Sequence, residues 1–153
     1  MAQSATYSFR NVSGSFTNPL LSQPIVFAGQ IGMGAFHVAM ANTRTVHNRA
    51  ADGTIMPSYV AGNDGTVSIE MQQTSILHQL FLNLYNSLIV AAEGGDPSNW
   101  AASGMTLRNP PPLGNQHVLT GISFEKRPDK PYQAQGSNVT WTLMCCDSVE
   151  TTA

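Results

Sequence analysis

The sequence predicts a mainly β domain with one long helix, an antiparallel β-barrel or sandwich flanked by an α-helix. Three observations carry that expectation. Short runs of apolar–polar alternation, separated by Gly, Pro, Asn and Asp, recur along most of the chain. The apolar period lengthens from two to about 3.6 once, within GTVSIEMQQTSILHQLFLNLYNSLIV from Gly65 to Val90. No internal repeat or linker divides the 153 residues, which therefore read as a single domain, 1–153.

Taken in order, ATYSFRNV alternates Tyr7, Phe9 and Asn11 against Ser8, Arg10 and Val12 and predicts a first strand. QPIVFAG, opened by Pro24, predicts a short second one. GQIGMGAF follows, with Gly29, Gly32 and Gly34. Its spacing is the reverse of a dinucleotide fingerprint and no helical period follows it, so it reads as a flexible turn or bulge and not as a phosphate cradle. TRTVHNRAADGTIMPSY predicts two strands about Asp52-Gly53, a pair suited to a type I′ turn. With few bulky apolar residues, this hairpin reads either as an arm that reaches a neighbouring molecule or as a loose surface ribbon.

NDG at Asn63–Gly65 turns the chain into a strand with Val67, Ile69 and Met71 on one face. Thr74 or Ser75 then caps the helix, which Gly94 and Gly95 end. Leu77, Leu80, Phe81, Leu84, Tyr85, Leu88, Ala91 and Ala92 form a stripe for packing on the sheet. The opposite side mixes Gln79, Asn83, Asn86 and Ser87 with Leu82 and Val90, and no Lys, Arg, Asp or Glu lies between Glu70 and Glu93. Amides among aliphatics suit a surface covered by a partner; the competing reading is a solvated but neutral face. SGMTLRN predicts a strand, Pro110–Pro112 a loop, and QHVLTGISFEKR a strand with Val118, Ile122 and Phe124 on one face. A long connection, RPDKPYQAQGSN, leads to NVTWTLMCCD, where Val139, Trp141, Leu143 and Cys145 alternate inward, and SVETTA closes the chain as a polar tail. The expected total is about seven or eight strands.

Charged residues make up 10% of the chain, against about 25% in ordinary soluble proteins. Subunit contacts are poor in charge because desolvating an ion is costly, so this composition points to extensive burial by self-association, with a neutral monomer as the plainer alternative. A net charge of −2 with seven basic residues gives no footprint for holding nucleic acid tightly. Adjacent Cys145 and Cys146 point to opposite faces of a strand and cannot bridge each other in ordinary geometry, which suits a reducing compartment. Neither a signal peptide nor a membrane span is predicted, so the expectation is a soluble protein made in the cytoplasm, and the sequons at Asn11 and Asn138 are chance matches. His37, His47, His78 and His117 lie far apart, and no HExxH, G-x-S-x-G or metal-ligand spacing occurs. No catalytic residue, metal site or cofactor is expected.

TYSFRNVSGSF, the strand running into TSILHQLFLNLYNSL, the segment NWAASGMTL, and ISFEKRPDKPY followed by GSNVTWTL together resemble the tail tube proteins of contractile-tailed bacteriophages. The similarity covers nearly the whole chain, apart from NPPPLGNQ. It implies a structural virion protein, made in the host cytoplasm, that self-assembles into hexameric rings stacked as a tube for DNA ejection. It also implies contacts with the tail sheath, the tape-measure protein, and the baseplate and neck proteins, with DNA passing through without specific binding and no membrane involved. Type VI secretion tubes share that architecture. On this reading Leu82, Asn86 and Val90 on the helix, and Arg44, Arg49 and Asp52 on the hairpin, are the candidate subunit-interface residues, the cations pairing with carboxylates such as Asp52, Asp64 or Glu70. The rivals from other classes are a monomeric ligand-binding β-barrel with an apolar cavity and, behind it, a hydrolytic or acyl-transfer enzyme.

Overall fold

The computed structural model describes residues 7–28, 32–109 and 114–152. A 3-10 turn, Phe9–Asn11, precedes ten strands and one helix: β1 (Ser13–Thr17), β2 (Ile25–Ala28), β3 (Met33–Met40), β4 (Thr45–Arg49), β5 (Ile55–Tyr59), β6 (Gly65–Gln72), α1 (Ile76–Glu93), β7 (Ser103–Arg108), β8 (Asn115–Lys126), β9 (Asn138–Cys145) and β10 (Asp147–Thr152). The expectation of a β domain with a single long helix holds. All pairings are antiparallel.

The architecture is built around one bent hairpin. The first part of β8 pairs with β10 (Thr120 opposite Asp147) and the last part with β9 (Phe124 opposite Leu143). β9 and β10 are thus one strand interrupted at Cys146, and both arms of the hairpin bend at the same level. On one side of the bend lie β7, β1 and β2; on the other, β6 and β3. Two sheets leave a shared corner, and their inner faces enclose Phe16, Ile69, Leu119, Ile122, Trp141 and Leu143, all fully buried. β6 alternates buried and half-buried residues along its length, and β9 buries Val139, Trp141, Leu143 and Cys145, both as the period-two pattern requires.

The helix closes this core. Ser75 caps it by accepting the His78 N–H at 3.1 Å, and Gly95 beyond its end takes φ +99, a left-handed conformation open to glycine. Leu77, Phe81, Leu84 and Leu88 are buried, each contributing about 1.5–3 kcal/mol by leaving water. Phe81 stands edge-on to Phe16 and Phe124, and Tyr85 edge-on to Phe124.

Several expectations are corrected. Residues 7–12 carry a 3-10 turn at Phe9–Asn11 and no strand, against the expected first strand, and residues 5 and 6 lie outside the described residues. Val118 is 41% exposed and Leu119 is buried in its place, because the bend at Gly121 shifts the in–out parity between the two halves of β8. The expected polar tail is strand β10, paired along the first half of β8. The Asp52-Gly53 turn is not type I′: only Gly53 has positive φ, and Ala50 N–H bonds Thr54 O while Gly53 N–H bonds Ala50 O, a longer loop with glycine at its left-handed position. Leu80, expected in the packing stripe, is 41% exposed, and His78 lies in the core. Of the glycine-rich stretch, Gly29 lies outside the described residues; a bulge falls between Met33 and Ala35, and Gly32 has φ +76. The Pro110–Pro112 loop is also outside them.

Candidate assembly interface

The β4–β5 hairpin is a sheet of its own, and every residue of both strands is exposed. Its register is regular, from Thr45 opposite Tyr59 to Arg49 opposite Ile55. It carries Val46, Ile55, Met56 and Tyr59 on its surface, Met56 at 59% and Tyr59 at 79% exposure. Among the described residues this two-stranded ribbon has no apolar backing, and such a ribbon is marginal in water by itself.

Of the predicted hairpin residues, Arg44 sits at the base, where its Nη1 donates to Tyr59 Oη (3.3 Å) and its guanidinium lies 5.8 Å from that ring's centroid. Arg44 therefore braces the two strands. Arg49 is exposed near the tip. Asp52 accepts the Thr54 N–H at 2.9 Å, a bond that stabilises its ionised form and lowers its pKa. Within the chain Asp64 accepts from Asn42 (2.8 Å) and Glu70 from Asn138 (2.8 Å).

On the helix, Val90 is 71% exposed and Asn86 is exposed, while Leu82 is half-buried against the core. The helix residues and the hairpin residues form two separate surfaces. A third surface escaped sequence reasoning: Ile76 (74% exposed) and Leu80, beside Val26 of β2 (70% exposed), line an apolar groove of about 370 Å³ at the start of α1. Its signal was present in the spacing Ile76, Leu80, Asn83, Ser87, Val90, an outward row at helical intervals. Among the described residues β2 and β3 end their sheets, each with one side unpaired. Open strand edges are templates for pairing with another chain.

His78 is the one histidine of the core. Trp141 Nε1–H donates to its Nδ1 at 3.0 Å, so the neutral ring carries its proton on Nε2. That buried Nε2–H has no acceptor among the described residues, an omission worth about 1–3 kcal/mol. Burial, seconded by Lys130, lowers the His78 pKa. Elsewhere, His117 Nε2 lies 3.3 Å from Glu150 Oε2 between β8 and β10. Among the described residues no three His, Cys, Asp or Glu side chains group to hold a metal, and no helix is long and apolar enough to cross a membrane. Cys145 and Cys146 are free thiols, the first buried with its pKa raised by desolvation.

A β corner and helix whose unbacked apolar surfaces lie on a hairpin, a helix flank and strand edges define a structural building block. A family model described as "Bacteriophage PhiTE tail tube protein" matches residues 4–151, and the chain belongs to that family of structural tail tube proteins. No curated protein matches the chain in sequence. Among solved structures, a chain of the six-fold symmetrised baseplate of the anti-feeding prophage superposes with TM-score 0.62 at 10% identity, covering 99% of this chain and 98% of that one. A chain of the tube-terminating cap of the same prophage gives TM-score 0.60 at 10% identity, covering 100% and 95%. A chain of the sheath–tube complex of PVC, an extracellular contractile injection system, gives 0.59 at 8%, covering 97% and 93%. At such identities these likenesses concern the fold.

Proposed function

We propose that this protein is the repeating subunit of a tail tube whose copies close into hexameric rings, and that the rings stack into a channel for DNA passage. The observation that carries the reading is the β4–β5 hairpin, exposed along its whole length with Val46, Ile55 and Met56 on its surface. In a ring it reaches the adjacent subunit or the next ring, and burial of those side chains contributes about 1.5–3 kcal/mol apiece. The unpaired edges of β2 and β3 extend sheets from one protomer to the next, and ring closure removes them. A chain with 10% charged residues and net charge −2 suits a conduit wall, because phosphate-binding cations would slow the cargo. Leu82, Asn86 and Val90 contribute the helix flank to subunit contacts, with Arg49 and Asp52 at the hairpin tip. The sheath–tube and baseplate origins of the structural neighbours support sheath and baseplate as partners outside and at the end of the tube, with a tape-measure protein inside and neck proteins at the other end. Assembly in the virion tail follows synthesis in the host cytoplasm.

Light scattering on a size-exclusion column, with negative-stain microscopy over rising concentration, tests the reading. Rings or tubes are expected, and the double variant Val46→Ser/Met56→Ser should keep its urea midpoint while losing them. A species of 16.4 kDa at every concentration would overturn it.

A further inference from the structure

Between α1 and the segment that follows β8 lies a cleft of about 520 Å³ lined by His78, Asn86, Arg127, Asp129, Lys130 and Tyr132 among others. Three features set it apart. First, Arg127 and Lys130, two of the chain's seven cations, line it within four residues of each other, a concentration in a sequence otherwise poor in charge. Second, among the described residues no Lys or Arg lies at ion-pair distance from a carboxylate; the Lys130 ammonium instead lies 5.7 Å from the Tyr132 ring centroid. Third, His78, only 3% exposed, is among the lining residues, and its buried Nε2–H has no acceptor among the described residues.

We infer that this cleft is a carboxylate-binding site that receives an acidic side chain of a partner protein. The His78 N–H, oriented by Trp141, supplies a directed donor; Arg127 offers a planar fork suited to both carboxylate oxygens, and Lys130 a mobile positive charge. Asp129 lines the same cleft, and with Glu125 it reduces the charge of residues 125–130 to three cations against two anions, a net of +1. That balance suits a single carboxylate and disfavours the repeated charges of a nucleic-acid backbone. Leu82 and Asn86, assigned above to the subunit contact, also line the cleft, so the inference rests on that reading in adding a ligand class to the same flank, and tube formation is scored apart from it.

Fluorescence anisotropy of a fluorescein-labelled tetraglutamate peptide against the purified chain at low salt tests the inference, with tube formation scored separately by microscopy. Saturable binding is expected, weakened tenfold or more in Arg127→Gln/Lys130→Gln and severalfold in His78→Asn, which keeps an acceptor for Trp141 but lacks the Nε2–H. Displacement by glutarate would extend the ligand class to free carboxylates, while failure of glutarate to displace would restrict it to protein segments; both support the site. No binding, equal binding by both variants, or tighter binding of a ten-residue thymidine oligonucleotide would overturn it. Normal tubes from a chain that ignores the peptide would sink the site and leave the tube standing.

Discussion

Gly121 of β8 and Cys146, between β9 and β10, occupy one corner: Gly121 has φ +65, and a Cβ built on it would lie 2.8 Å from Cys146 Cβ and 2.9 Å from Cys146 Sγ. The Cys146 N–H donates to Thr120 O (3.1 Å) and Gly121 O (3.2 Å), a forked bond across the bend. The two strands can fold over together only because one contributes no side chain where the other contributes a thiol. That corner divides the eight strands outside the β4–β5 hairpin into two sheets around one core.

Gly121→Ala is therefore expected to destabilise the fold by about 2–4 kcal/mol, combining about 1–2 for a left-handed alanine with the cost of overpacking. Adding Cys146→Gly removes the colliding Cβ and Sγ but not the φ strain, so the double variant should recover part of the loss relative to Cys146→Gly alone. Urea midpoints of the four chains check this. A Gly121→Ala chain as stable as the parent would show that the corner tolerates a side chain.

The same corner shows why some of the fold was legible and some was not. Val67, Ile69 and Met71, and Val139, Trp141, Leu143 and Cys145, alternate within straight strands, where period two translates directly into burial. Val118 failed because parity arguments assume an unbroken strand, and a lone glycine does not announce a bend. β10 failed because SVETT is polar; its pairing with β8 is secured by register, not by burial. The hairpin was readable as an element with too little apolar content, yet whether it was an arm or a loose ribbon depended on its separation from the core. The carboxylate cleft was invisible because His78, Arg127 and Lys130 meet only after α1 and β8 are placed side by side.

Stability should fall with pH below neutrality through His78. Burial first, and Lys130 second, lower its folded pKa beneath the unfolded value of about 6.5. Above that value the ring is neutral in both states and the contribution is complete. As pH drops through it, the unfolded chain takes up a proton that the folded one declines, and stability is lost until the folded pKa is passed. His78→Asn retains an acceptor for the Trp141 N–H and cannot titrate. The parent's urea midpoint should therefore drop more between pH 7.5 and pH 5 than the variant's, the carboxylates and other histidines being common to both. Equal drops would remove His78 as the source.

The helix flank offers a separation of folding from assembly. Val90 is 71% exposed, so Val90→Glu should change subunit stability by no more than about 0.5 kcal/mol. In a subunit contact, however, the same carboxylate must be desolvated against amides and aliphatics, and the concentration needed for rings should rise tenfold or more. Leu82→Lys is a less clean probe, because Leu82 packs on the core and its replacement costs fold stability as well. Ile76→Lys tests the N-terminal end of the same outward row, where Ile76, Leu80 and Val26 line the apolar groove. Sedimentation of all three variants, read beside their urea midpoints, assigns the contact: if Val90→Glu assembles like the parent while Ile76→Lys does not, the neighbouring subunit covers the groove at the start of the helix and the end that carries Val90 faces water.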